Sequence, residues 1–187
     1  MSLFEEERRR LLALLAANSV ERRRVVLASG RESDFYIDCK RTVLTAEGHW
    51  LVGRLLFALL KQVAPQVLGV GGMTMGADPL ASSLSLISHL AQQPLHAFYV
   101  RKEPKGHGMN RWIEGLHGIA EGAHLAIVED VVTTGGSTLR AIERVVEGGY
   151  TVDAILAVVD REEGGKEALQ AQGYGLNALF LKSDFQQ

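Results

Sequence analysis

Residues 126–138 read Ala126-Ile127-Val128-Glu129-Asp130-Val131-Val132-Thr133-Thr134-Gly135-Gly136-Ser137-Thr138. An apolar run ends in two adjacent carboxylates, enters a turn of hydroxyls and glycines, and continues into a helical pattern. A strand–turn–helix junction of this kind offers backbone N–H groups and hydroxyls to an anion, and the helix adds the positive end of its dipole. Two carboxylates beside such a cradle would repel a bare phosphate. They fit a ligand that also presents hydroxyls or carries a metal, and a sugar phosphate does both. The bland alternative is an ordinary junction with a polar cap, but a cap has no need of Glu-Asp followed by a run of small and hydroxyl residues.

The rest of the chain supplies a frame for that junction. From Val67 onward, buried strands fit 67–70, 95–100, 124–129, 152–159 and 177–181, and helices fit 78–91, 137–147 and 162–172. Strands that alternate with helices imply parallel strands joined by right-handed crossovers. Ligands in such folds bind at the C-terminal strand ends. Upstream, residues 3–17 read as an amphipathic helix with Leu3, Phe4, Leu11, Leu12, Leu14 and Leu15 on its apolar side. Val25-Val26-Leu27 and Phe35-Tyr36-Ile37 read as two short strands around the turn Ser29-Gly30-Arg31-Glu32-Ser33. A helix from about 46 to 63 carries Trp50, Leu51, Leu55, Leu56, Leu59 and Leu60. Asp78 reads as a cap for the helix after it, with Pro79 in the first turn. The expected fold class is α/β, a central, mainly parallel sheet flanked by helices. A single domain is expected over residues 1–187, with no internal repeat or linker.

Composition narrows the function classes. A hydrophobic content of 47% and a charged content of 22% are globular values. The net charge of -2 gives no general attraction to nucleic acid or to an anionic membrane. Cys39 is the single cysteine, so neither an internal disulfide nor a cysteine zinc site is expected, and a reducing compartment fits. No apolar run is long enough to span a bilayer, and residues 1–10 are too rich in Glu and Arg for a secretory signal, so a cytoplasmic protein is expected. There is no glycine-lysine-hydroxyl nucleotide loop and no complete dinucleotide fingerprint, and the six histidines lack paired metal spacing.

Between Val100 and Leu125 the pattern is irregular, opening with Arg101-Lys102-Glu103-Pro104-Lys105-Gly106-His107-Gly108-Met109-Asn110-Arg111. Pro104, Gly106 and Gly108 keep this segment from becoming a helix. A long cationic loop beside a phosphate site is a candidate lid, able to fold over a charged leaving group and exclude water. Residues 126–138 resemble the phosphoribosyl-pyrophosphate loop of type I phosphoribosyltransferases. The segment from Arg101 to Gly108 resembles the catalytic-loop motif of orotate phosphoribosyltransferase. Three further segments are similar to that family in the same order: Leu27-Ala28-Ser29-Gly30-Arg31-Glu32-Ser33-Asp34-Phe35-Tyr36 to its N-terminal hood, Gly71-Gly72-Met73-Thr74-Met75-Gly76-Ala77-Asp78-Pro79 to its pyrophosphate loop, and Asp160-Arg161-Glu162-Glu163-Gly164-Gly165 to its base-binding turn.

The resemblance implies a type I phosphoribosyltransferase fold with a small hood from about 20–40, and transfer of ribose 5-phosphate from phosphoribosyl pyrophosphate to orotate. It assigns catalysis to Lys105, His107 and Asp130. Phosphoribosyl-pyrophosphate binding falls to Arg101, Lys102, Lys105, His107, Glu129, Asp130, Val131, Val132, Thr133, Thr134, Gly135, Gly136 and Ser137. Orotate would meet Thr133 and Arg161, and Phe35 and Tyr36 would approach the base through their backbone. Mg²⁺ is the expected cofactor, held mainly by substrate oxygens and water. A homodimer with lid residues shared between subunits is implied, with no nucleic acid and no membrane partner. Two departures stand out: many family members carry a lysine where Ala28 stands, and Tyr-Lys in the loop that here reads Met73-Thr74-Met75-Gly76-Ala77-Asp78. No phosphate contact is therefore carried over to either segment. A purine or xanthine phosphoribosyltransferase would share the phosphate loop and bind another base. A regulatory protein on the same fold would keep that loop and lose the lid.

Overall fold

A computed structural model describes residues 3–21, 25–26, 32–33, 35–104 and 112–186. The chain opens with helix α1 (Leu3–Asn18), then short strands β1 (Val20–Glu21), β2 (Val25–Val26), β3 (Glu32–Ser33) and β4 (Tyr36–Ile37), and a one-turn helix α2 (Lys40–Val43). Next come α3 (Ala46–Val63), β5 (Gly69–Met73), α4 (Asp78–Leu90), β6 (His96–Val100), β7 (Ile113–Glu114) and β8 (His124–Val132). The chain continues with α5 (Gly136–Glu147), β9 (Thr151–Asp160), α6 (Gly165–Ala171), β10 (Leu176–Leu181) and a 3₁₀ turn, Lys182–Phe185.

Six strands form the central sheet in the order β10-β9-β8-β5-β6-β7. Every neighbouring pair is parallel except β6 with β7. Side chains alternate across the sheet. Val70, Ala126, Val128, Ala154, Leu156 and Val158 face a core shared with α1, α3 and α4, while Leu125, Ile127, Ile155 and Ala157 face one shared with α5 and Leu169 of α6. The α/β class and the mainly parallel sheet are thus as the sequence predicts.

The helices follow from local chemistry. In α1, Glu7, Leu11 and Leu15 recur every four residues and are buried, with Glu7 held by Arg54 at 2.8 Å. Phe4, expected on that face, is exposed. Helix α3 is capped by Thr45, whose Oγ1 accepts the Gly48 N–H at 3.1 Å, and it buries Leu51, Val52, Leu55, Leu56 and Leu60. Each such leucine contributes roughly 1.5–3 kcal/mol. Trp50 lies on the outer side, with the Arg54 guanidinium 5.2 Å from its ring.

Several boundaries differ from the sequence reading. Strand β5 is Gly69–Met73 rather than 67–70. Its glycines are poor strand formers, yet the packing requires them: a Cβ on Gly71 would lie 2.1 Å from the Phe98 carbonyl, and one on Gly72 2.2 Å from that of Val128. Strand β8 runs on to Val132, so Val131 and Val132 belong to the strand and not to the turn. Helix α6 begins at Gly165 rather than 162, because Glu162 and Gly164 are left-handed (φ 55° and 92°). Near the N-terminus β2 pairs antiparallel with β3, while Tyr36–Ile37 pairs with β1 instead of with Val25 and Val26. Of the predicted turn over 29–33, Ser29, Gly30 and Arg31 lie outside the described residues, and Glu32 and Ser33 are strand β3 rather than turn. No helix among the described residues is long and apolar enough to cross a membrane.

Candidate active site

The sheet order places a switch point between β5 and β8. From β5 the chain crosses by α4 to β6 on one side, and β8 then returns to the other side of β5. Crossovers leave the sheet in opposite directions there, which opens a crevice at the C-terminal strand ends. A cavity of about 370 Å³ occupies it. Glu129, Asp130 and Ser137 line it from β8 and α5, and Met73, Thr74, Met75 and Gly76 from the end of β5. Lys40 and Lys102 complete the lining.

The two carboxylates have different surroundings. Glu129 is buried, and its Oε2 accepts hydrogen bonds from Ser137 Oγ at 2.9 Å and Thr138 Oγ1 at 3.2 Å. Burial first, and the neighbouring Asp130 charge second, push its carboxyl up to about 7, against the pull of the two hydroxyls. Asp130 accepts its neighbour Val131 N–H at 2.9 Å through Oδ1 and turns Oδ2 to Lys40 Nζ, 3.8 Å away. Gly76 allows the β5 loop to reach this carboxylate, since a Cβ there would meet Asp130 Oδ1 at 2.6 Å.

The turn predicted to bind phosphate is a strand–turn–helix junction. Gly135 is left-handed (φ 80°), and α5 starts at Gly136. Gly165 packs beneath, with its would-be Cβ 2.6 Å from the Thr133 carbonyl and 2.5 Å from Val132 Cγ1. Thr134 faces outward, while Ser137 directs its hydroxyl to Glu129.

Arg161 lies beside this turn because β8 and β9 are parallel neighbours, and its N–H donates to the Val132 carbonyl at 2.9 Å. It is no surface arginine. Its side chain is buried, donates to the Phe35 carbonyl at 2.9 Å and pairs with Glu163 at 2.9 Å. Phe35 is buried against Phe185, their ring centroids 5.8 Å apart, and Tyr36 is half-buried. Thr133, Arg161 and the Phe35 backbone therefore meet near one strand end.

The lid springs from the β6–β7 pair. Val100 pairs with Ile113, and Arg101 N–H donates to the Trp112 carbonyl at 2.8 Å, so the segment predicted as a lid connects two antiparallel strands. Trp112 anchors its base, with the Arg144 guanidinium 4.0 Å from the ring. Arg101 is held by Glu114 at 3.5 Å, and Lys102 lines the cavity. Lys105, His107 and Arg111 lie outside the described residues, as does Ala28.

One expectation fails outright. Asp78 does not cap α4: the cap position is Ala77, and Asp78 is already the first helical residue. Its Oδ1 is buried without a partner among the described residues, and burial raises its carboxyl. Lys40 lines the cavity and was missed by the sequence reading, which placed the β5 loop at the family's pyrophosphate loop but carried over no contact to it. The loop's signal was the glycine-rich run itself. For Lys40 the local pattern Asp38-Cys39-Lys40 carries no signal until the fold brings it to Asp130.

The chain matches no protein-family model. It is similar to the orotate phosphoribosyltransferase of Sorangium cellulosum, 54% identical over 179 residues that cover 96% of this chain and 93% of that one. A crystal structure of Mycobacterium tuberculosis orotate phosphoribosyltransferase is similar at a TM-score of 0.84 and 38% identity, over 97% of this chain and 99% of that chain. Another, in complex with 5-phospho-α-D-ribosyl 1-diphosphate, is similar at a TM-score of 0.79 and 35% identity, with 97% and 99% covered. The carboxylate pair, the glycine turn and the β6–β7 pair thus stand in a chain that aligns nearly end to end with these enzymes, and the protein belongs to the orotate phosphoribosyltransferase family.

Proposed function

We propose that the protein joins orotate to phosphoribosyl pyrophosphate, giving orotidine 5'-monophosphate and pyrophosphate in pyrimidine biosynthesis. The observation that carries this reading is the shared end of β8 and β9: Asp130 and Ser137 line the crevice, the Gly135 turn joins them, and the Arg161 backbone N–H bonds to Val132 just before that turn. The glycine turn suits the 5-phosphate, the Asp130 carboxylate suits ribose hydroxyls, and Arg161 with Thr133 suits a flat base bearing a carboxylate. Orotate N1 attacks the anomeric carbon, and the bond to pyrophosphate breaks with its electron pair leaving on oxygen. Positive charge grows on the ribose and negative charge on the leaving group, so positioning and electrostatic stabilisation supply most of the acceleration.

Residues then take these roles. Thr133, Thr134, Gly135, Gly136 and Ser137 give N–H and hydroxyl donors to the 5-phosphate, and Val131 and Val132 set the height of that turn from the strand. Glu129 and Asp130 accept from the ribose hydroxyls, with Asp130 the more accessible. Arg101, Lys102, Lys105 and His107 close over pyrophosphate. Among the described residues no three carboxylate, histidine or cysteine side chains cluster as a metal cage, whereas Asp130 borders the cavity alone with the buried Glu129. Mg²⁺ would be carried in mainly by substrate oxygens, with Asp130 at the cavity wall to meet its water shell. When bound, Mg²⁺ neutralises pyrophosphate charge. Arg161 must release Glu163 or hold it aside to receive the orotate carboxylate. The protein acts in the cytoplasm as a homodimer whose lids serve the neighbouring subunit.

The test is product identification. With orotate, phosphoribosyl pyrophosphate and Mg²⁺, mass spectrometry should find orotidine 5'-monophosphate and pyrophosphate in equal amounts. Hydrolysis to ribose 5-phosphate, with orotate untouched, would overturn the proposal.

A further inference from the structure

The crevice offers few cations to a ligand as highly charged as pyrophosphate. The described lining holds two carboxylates, Glu129 and Asp130, and two ammonium groups, Lys40 and Lys102. Residues 73–78 contribute no cation, and the chain carries alanine at position 28. Lys102 stands at the root of a loop, whereas Lys40 stands on fixed structure. It opens α2, directly after Cys39, whose buried Sγ donates to the Asp130 carbonyl at 3.7 Å. Thr42 of the same turn is fixed to Ser19 Oγ at 2.7 Å and donates to the Leu14 carbonyl at 3.2 Å.

The Lys40 ammonium lies 2.8 Å from Asp38 Oδ1 and 3.8 Å from Asp130 Oδ2, and its side chain is 41% exposed towards the opening. The shorter contact is a good ion pair. The longer one is too long for a hydrogen bond, so Asp130 attracts the ammonium without fully engaging it. A lysine ammonium has three donors on a flexible stem, and one committed to Asp38 leaves two for a ligand. An anion in this cavity would meet Asp130 as a like charge and Lys40 as the nearest fixed counter-charge.

We propose that Lys40 is a substrate-binding residue of the pyrophosphate subsite: its ammonium donates to a phosphate oxygen of the leaving pyrophosphate while keeping its pair with Asp38. This rests on the reading of the site as a phosphoribosyl-pyrophosphate crevice. Lys40 thus neutralises the leaving group from the fixed wall of the crevice and shields that group from Asp130. Asp38 is a positioning residue, because it acts only by holding Lys40.

Titration calorimetry on the full chain with inorganic pyrophosphate and Mg²⁺, and separately with ribose 5-phosphate, tests this. Lys40→Met should weaken pyrophosphate by about tenfold or more, the worth of a charge-assisted hydrogen bond. Its ribose 5-phosphate affinity should stay within about twofold, and Lys40→Arg should restore most of the pyrophosphate binding. Asp38→Asn, which keeps the ammonium and removes its competing partner, should bind pyrophosphate at least as well as wild type. A selective loss for ribose 5-phosphate would make Lys40 a support for Asp130 and overturn the proposal. So would equal losses in Lys40→Met and Asp38→Asn, or an unchanged pyrophosphate affinity in Lys40→Met. Should Lys40→Met not fold, Lys40→Arg and Asp38→Asn decide: weak pyrophosphate binding by both would count against the proposal, and binding retained by both supports it. Wild-type orotate turnover is measured alongside, so failure to ribosylate orotate with normal pyrophosphate binding would count against the proposed reaction and leave Lys40 standing.

Discussion

Glu129 and Asp130 are adjacent in the chain and opposite in circumstance. Alternation along β8 turns Glu129 under the Ser137 and Thr138 hydroxyls, while Asp130 faces the cavity. The carboxyl of Glu129 is raised from 4.5 to about 7 in the folded protein, mostly by burial. Between those values the folded state keeps a proton that the unfolded chain has lost. Stability is therefore full below the lower value and declines as pH rises through the higher one. Glu129→Gln keeps the shape and the acceptor oxygen but removes the titration. Thermal melts from pH 5 to pH 8 should show its melting temperature gaining on wild type by several degrees as pH rises. A constant difference across that range would mean that Glu129 is ionised throughout. The sequence displayed the pair and its ligand class but not this division of labour, which depends on which face of the strand each residue takes. Lys40 was illegible for a related reason: its partner Asp130 lies 90 positions along the chain, and nothing local links them.

At the scale of elements, what periodicity could reveal was legible. Helices α1, α3, α4 and α5 and strands β6, β8, β9 and β10 fall where apolar spacing places them, because each must bury one face or both. The exceptions have physical causes. Strand β5 hides behind glycines that the tight approach to β6 and β8 demands, and α6 loses its first turn to left-handed Glu162 and Gly164. The two-residue strand β7 has too little pattern to show, and the hairpin pairs near the N-terminus are chosen by tertiary contacts. Helix α6 supports the phosphate turn through Gly165, which has no room for a side chain beneath Thr133 and Val132. Gly165→Ala should push the turn outward. The expected result is a phosphoribosyl-pyrophosphate KM raised about tenfold or more, together with a fall in melting temperature, read by steady-state kinetics and calorimetry. Unchanged kinetics would detach α6 from the site.

For the whole molecule, the predicted lid connects β6 to β7 of the same sheet whose β5 and β8 ends form the crevice, and the proposed dimer lets one subunit's lid close over the other's crevice. Lys105→Ala and Asp130→Asn should each be nearly inactive alone. If the lid serves its neighbour, a mixed dimer has one site with both defects and one with neither, so activity should return on mixing under subunit exchange. If both residues serve the same subunit, every site keeps a defect and no activity returns, once exchange is confirmed by mass spectrometry. The central claim concerns the base. In the proposed reaction Arg161, whose planar fork is now shared between Glu163 and Phe35, would pair with a carboxylate that orotate has and the purine bases lack. A site built to pair a charged group rejects ligands without it by large factors, because its own group is left unpaired. The direct measurement is kcat/KM for orotate, hypoxanthine, guanine, xanthine and adenine, each with phosphoribosyl pyrophosphate and Mg²⁺. Orotate should exceed every purine by about a thousandfold or more, and comparable use of any purine would contradict the account.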